Sequence, residues 1–247
     1  MEDESHFPAN DDRILGAYMK ILNKRVSQRF ASFYAKIVAQ IGEPMLCLTQ
    51  TPGRGECRFV DETCVVSLRT DLSKSGFEAH IAHELTHALQ RKEGWPRVVS
   101  RYPDNSPVVE IGIMLVSIVL DLNVEDRLNA WGFDSRWIID EQYRNLKEAV
   151  LNENIPPTGT LEWCKSVMMS AYASLTQPAK RWNRLKKLFL RRAPHIESKG
   201  EELASILREN GWSNPEQALT SLIAIRKSIG LSSNQIGIID GKSGRRF

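Results

Sequence analysis

Residues 80 to 93 read His80-Ile81-Ala82-His83-Glu84-Leu85-Thr86-His87-Ala88-Leu89-Gln90-Arg91-Lys92-Glu93. As a helix, this stretch sets His83 and His87 one turn apart on one face, separated by roughly 6 Å of rise. Two imidazoles so placed can grip one metal ion. Glu84 lies on the turn between them, where a carboxylate can take a proton from a water activated at that ion. The chemistry this pattern points to is hydrolysis at a zinc (Zn2+) centre.

The sequence on either side supplies a context for such a helix. Upstream, Met45 to Gln50 reads as a short strand. The β-prone runs Cys57 to Val60 and Cys64 to Leu68 are separated by Asp61-Glu62-Thr63, so a small antiparallel sheet is predicted. Thr70 to Gly76 then turns the chain into a helix over about Phe77 to Lys92, ended by Gly94, Trp95 and Pro96. Further upstream, Arg13 to Ile41 carries apolar residues at helical spacing and predicts one long helix or two, stopped by Gly42-Glu43-Pro44. Downstream, Arg97 to Ser106 is polar and irregular. Pro107 to Trp131 reads as a second long helix with proline in its first turn and Gly132 as its stop. Its first half is almost wholly apolar, which requires a central position and partners for its acidic residues.

A catalytic zinc normally takes three protein ligands and keeps one position open. The third donor must come from a later element, and the second long helix offers Asp121 and Glu125, one turn apart on one face. Glu125 is the preferred ligand and Asp121 the alternative, with the remaining acid free to orient a ligand histidine. Glu110, 23 residues after His87, is a third option near the start of that helix. His80 is read as a neighbour of the site rather than a ligand, because four protein ligands would close it to water. Tyr102, Arg127, Tyr143 and His195 are available as donors to a developing oxyanion, and nothing in the sequence chooses among them.

On these residues the chain resembles the zincin metallopeptidases of the gluzincin-like group. The likeness covers about residues 55 to 134: a strand ending at Ser67 or Leu68, the helix with His83-Glu84-Leu85-Thr86-His87, and the helix bearing Asp121-Leu122-Asn123-Val124-Glu125-Asp126. The resemblance implies that His83 and His87 bind zinc, that Glu84 is the general base and that Cys64 to Leu68 is the strand edge that pairs with a peptide or protein substrate. Two departures stand beside it. Ala88 to Glu93 lacks the further histidine and glycine of metzincins, and Asp121 precedes Glu125, the reverse of the thermolysin-like order.

The 247 residues, 42% hydrophobic and 26% charged with a net charge of +3, describe a globular chain whose charge alone demands no nucleic-acid or membrane partner. Cys47, Cys57, Cys64 and Cys164 have no Cys-x-x-Cys spacing and read as buried free thiols, and the acidic start has no signal-peptide character, so a cytoplasmic setting is expected. The longest apolar run, Ile111 to Leu120, is too short to span a bilayer.

The predicted fold class is α+β, mostly helical: a zincin-like small sheet with the active-site helix and a helical C-terminal half. Residues 1–12 are expected to be a flexible leader, 13–134 the metallopeptidase-like domain, 135–240 a helical region packed on it and 241–247 a flexible tail. Helices are predicted at about Arg136 to Leu151, Thr160 to Leu175, Ala179 to Arg191, His195 to Glu209 and Pro215 to Gly230. Lys180 to Arg192 holds seven basic residues and no acidic one, with Trp182, Leu185, Leu188 and Phe189 on one stripe. An amphipathic core helix with a solvated basic face is the favoured reading of it, and a surface for nucleic acid or a partner protein on a non-catalytic zincin scaffold is the alternative.

Overall fold

The computed structural model describes residues 20–48, 55–68, 74–134, 136–152 and 154–247. The expected leader, and most of the segment Thr70 to Gly76 that leads from the sheet into the histidine-bearing helix, lie outside them. The fold is α+β and mostly helical, with eight helices and short sheets among the described residues.

The chain enters as a hairpin of β1 (Lys20–Ile21) and β2 (Lys24–Arg25), turned by Leu22 and Asn23 at φ 48° and 63°. Of the one long helix or two predicted over Arg13 to Ile41, residues 13–19 lie outside the described part, 20–25 are corrected to the hairpin, and Gln28–Ile41 is α1. Ile21, Val26 and Phe30 are buried whether the backbone is strand or helix, so the apolar periodicity did not reveal the turn. The start of α1 is set by Ser27, whose hydroxyl accepts from the Phe30 N–H. Ser27 in turn donates from its N–H (2.7 Å) and its hydroxyl (2.6 Å) to the Glu78 carboxylate, tying α1 to the next helix.

Next come β3 (Met45–Leu48), β4 (Glu56–Val60) and β5 (Thr63–Leu68), in the order β3-β5-β4. β4 and β5 form an antiparallel hairpin whose turn residues, Asp61 and Glu62, both have positive φ. β3 runs parallel to β5, so the sheet is mixed rather than antiparallel. β5 is the central strand, which corrects the assignment of Cys64 to Leu68 as the substrate edge: its backbone is paired on both sides, and among the described residues β3 and β4 are the outer strands, of which β4 adjoins α2.

α2 (Lys74–Lys92) packs on this sheet and on α1. Ile81, Ala82, Leu85 and Ala88 are fully buried, while His83 and His87 look out of the core. Beyond α2, the stretch expected to be irregular forms β6 (Arg97–Ser100), paired antiparallel with β7 (Ile236–Ile239). Four residues with no alternation give no local strand signal, and this pairing joins segments some 140 residues apart. The expected flexible tail 241–247 also folds back: Phe247 and Ile238 exchange both backbone hydrogen bonds, and Arg226 donates to the Phe247 carbonyl at 2.8 Å.

α3 (Pro107–Ala130) follows, then α4 (Arg136–Asn152), α5 (Leu161–Thr176), α6 (Ala179–Arg192), α7 (Pro194–Asn210) and α8 (Pro215–Ser228), close to their predicted bounds. Proline and capping residues mark these ends locally, which is why they were legible. α5 and α7 pack so closely that a Cβ at Gly200 would meet the Ser170 Oγ at 2.7 Å. Leu185 and Phe189 of α6 are buried, whereas Lys180, Arg184, Lys187 and Arg191 are exposed.

Two hydrophobic cores result. One joins α1, the sheet and α2; the other joins α4 to α8 with the β6–β7 ribbon. α3 belongs to both: Ile111, Leu115, Val119 and Leu122 enter the second core, and Val124 and Leu128 enter the first. Its length and composition would suffice to cross a membrane, yet half of its most apolar window is buried inside the protein. Asp121 and Glu125 lie where α3 passes from one core to the other.

Candidate metal centre

The site is made by α2 and the middle of α3. The Nε2 atoms of His83 and His87 are 3.2 Å apart, and Asp121 Oδ1 is 3.2 Å from His87 Nε2. His83, His87 and Asp121 each offer one donor atom, all within 4.8 Å of one another. The i, i+4 spacing on α2 thus does what it was predicted to do, and the third donor comes from α3. It is Asp121, not the preferred Glu125, that faces the two Nε2 atoms. Glu125 instead stands behind His83, with Oε1 3.8 Å from Nδ1. One helical turn separates the two acids, and that turn decides which nitrogen of His83 each one meets. Glu110 is remote from the centre and receives a 2.6 Å hydrogen bond from Lys165.

Both histidines are held from behind. The Gln90 amide nitrogen donates to the Leu120 carbonyl (3.2 Å) and to Asn123 Oδ1 (3.0 Å), which turns Gln90 Oε1 towards His87 Nδ1 at 3.0 Å. An acceptor there keeps the proton on Nδ1 and leaves a lone pair on Nε2. The Glu125 carboxylate biases His83 in the same direction. Three lone pairs, two of nitrogen and one of a carboxylate, therefore converge on one point, a donor set that calls for a cation. Asp121 Oδ1 is buried with His87 Nε2 as its neighbour at 3.2 Å and no hydrogen bond of its own, as a donor beside a cation would be.

Electrostatics gives the same answer. Burial by itself would push the His83 pKa down, but Glu125 beside Nδ1, then Asp121 and Glu84, together push it up to about 9. With no cation in place, a proton on His83 neutralises the acids around it. The residues present thus fit a metal ion.

Glu84 is buried and lines cavities on both sides of the metal centre. Gly55, at the start of β4, presses against it: a Cβ there would fall 2.1 Å from the His80 ring and 2.9 Å from Glu84 Oε1. Only glycine lets the strand approach so closely. His80 is buried beside this contact and is not among the grouped donors.

The four donors considered for an oxyanion lie elsewhere. Tyr102 is exposed, Arg127 pairs with Glu93 at 2.7 Å, Arg181 stacks on Tyr143, and His195 sits 3.3 Å from the Pro156 carbonyl. Sequence reasoning missed Tyr172 of α5, which lines the smaller cavity of about 240 Å³ together with His83, Glu84, Asp121 and Gln142. Burial, then the charges of Asp121 and Glu125, raise its hydroxyl far above the ordinary range, so it remains a hydrogen-bond donor. The sole hint in sequence is a phenol on the apolar face of α5, a signal shared with ordinary core tyrosines.

The four cysteines are free thiols, with Cys57 and Cys64 facing one another across the β4–β5 hairpin at 3.6 Å. No family model, curated protein or solved structure matches the chain, so the functional reading rests on the geometry of the site itself.

Proposed function

We propose that this chain is a zinc-dependent peptidase that cleaves peptide bonds in a reducing, cytoplasmic setting. The observation that carries the proposal is the convergence of His83 Nε2, His87 Nε2 and Asp121 Oδ1, with Glu84 buried at their side. Two imidazoles and one carboxylate make a donor set suited to zinc, and three protein ligands leave a position for chemistry. Zinc bound there would supply Lewis acidity, lowering the pKa of water and polarising the scissile carbonyl.

The chain's own residues supply the rest. Glu84 accepts the proton of the attacking water and returns it to the leaving amine. Gln90 and Glu125 hold the two imidazoles in the tautomer that leaves Nε2 free. The protonated Tyr172 hydroxyl, on the opposite wall, donates to the oxygen that gains charge as the carbonyl becomes tetrahedral. β4 has a strand partner on one side only, and its approach at Gly55 and Cys57 lines the cleft, which suits an extended peptide backbone.

Metal analysis of the purified protein beside His83→Ala, Asp121→Ala and Glu125→Ala tests the centre. We expect about one zinc per chain in the wild type, loss with the first two variants and weakened retention with the third. Cleavage of an unstructured protein such as casein, abolished by Glu84→Gln, tests the reaction. A protein that folds and binds no zinc, or that cleaves equally well with glutamine at position 84, overturns the proposal.

A further inference from the structure

The metal centre divides the surface depression into two unlike parts. The smaller cavity is polar and acidic, with Glu141, Gln142 and Asn145 beside the site. The larger, about 630 Å³, is floored by Ile113, Val116, Ser117 and Leu120, the i, i+3, i+4, i+7 face of α3 that leads one residue later to Asp121. Ile113 is 53% exposed there, although α3 is the most apolar helix of the fold. Trp95, Pro96, Val98, Arg91 and Arg97 also line it. Among the described residues, the acidic groups lining this part are Glu84 and Asp121 at the centre itself. Arg91 lies over the Phe59 ring at 4.8 Å, and both guanidinium groups belong to exposed residues.

A face on which Ile113 is exposed and Val116 half-buried, inside a cleft bordered by two arginines and ending at the proposed metal centre, has the character of a specificity surface. Resting on the peptidase reading, we infer that this cleft selects peptides with a bulky apolar side chain within about three residues of the cleaved bond, followed outward by an acidic group. The apolar side chain lies on the α3 stripe, where it removes Ile113 and Val116 from water. The carboxylate, from an aspartate, a glutamate or a chain terminus, pairs with Arg97 or Arg91, whose fork geometry suits bidentate binding. A neutral acyl chain would satisfy the stripe and leave both arginines unmatched.

The test uses the zinc-loaded full chain and a quenched-fluorescent peptide library that varies two positions, Leu or Phe against Ser and Asp against Lys. In parallel, anisotropy of labelled peptides on Glu84→Gln protein reads binding without turnover. We expect at least about a tenfold preference for Leu or Phe over Ser, the scale at which an apolar pocket discriminates, and a preference for Asp over Lys. Ile113→Asp removes the first preference, and Arg97→Glu weakens or inverts the second. Both residues are exposed, and unchanged thermal unfolding verifies that the variants fold. Peptides cut or bound without these preferences, or preferences untouched by both substitutions, overturn the inference and leave the peptidase reading standing. Peptides neither cut nor bound by the zinc-loaded protein overturn both.

Discussion

α2 and α3 build the candidate centre together, and they break the usual distribution of side chains in opposite ways. α2 places polar groups where core residues belong: Glu84, Thr86 and Gln90 are all buried. α3 does the reverse and leaves Ile113 half in water while Leu115, two residues on, is completely buried. A polar group inside has to be satisfied by something, and an apolar group outside has to be covered by something. On α2, Thr86 and Gln90 are satisfied inside the protein, and under the proposed function His83 and His87 would meet a cation; on α3, Ile113 would meet a substrate side chain.

The largest effect that can break this comparison lies on α2. Glu84→Gln keeps the size of the side chain and removes its basicity, so turnover should drop by about 10²- to 10⁴-fold while zinc content stays the same. Loss of zinc with that variant would make Glu84 a structural residue and cancel the contrast between the helices. Next in size is the pair of acids on α3. Asp121→Ala should abolish stoichiometric zinc in metal analysis, whereas Glu125→Ala should weaken affinity by about 10- to 100-fold, as removal of an orienting partner does. Equal losses would erase the difference between the two faces that one helical turn separates.

A third effect is set by pH. His83 has a folded pKa of about 9 against an ordinary 6.5. A group raised in the folded state adds stability that is complete below about pH 6.5 and disappears as pH climbs towards about 9. Metal-free protein should therefore lose thermal stability across that interval. Zinc affinity should rise across it, since binding displaces the proton. A melting temperature of the metal-free protein that is flat from pH 6.5 to 9 would contradict the charge cluster described around His83. The smallest effect sharpens the contrast within α3. Leu115→Ala should destabilise by about 2–5 kcal/mol in denaturant unfolding, whereas Ile113→Ser should stay within about 0.5 kcal/mol.

How far the sequence could be read follows the range of the interactions involved. His83, Glu84 and His87 were legible because one turn of α2 carries all three and their chemistry needs only that spacing. α3 to α8 were legible because apolar periodicity, capping residues and prolines act within a turn or two. For the third donor the sequence favoured Glu125 over Asp121 and Glu110, whereas Asp121 is the acid grouped with the two histidines, because choosing between two acids on one face requires the crossing of α3 over α2. The β1–β2 hairpin hid inside a pattern that suits helix equally well. β6 was invisible, since its partner β7 lies on the far side of six helices in the chain, and Tyr172 looked like any buried phenol.

The sequence by itself determined a mostly helical α+β chain and the placing of His83 and His87 on one face of one helix, because backbone preference, periodicity and an i, i+4 spacing are local. Tertiary structure alone decided that Asp121 faces the two histidines while Glu125 backs His83, that β5 lies between β3 and β4 rather than at an edge, and that Ile113 of α3 is left exposed beside the site. Each of these depends on the angle and register at which distant segments pack, and packing is settled by the whole core at once.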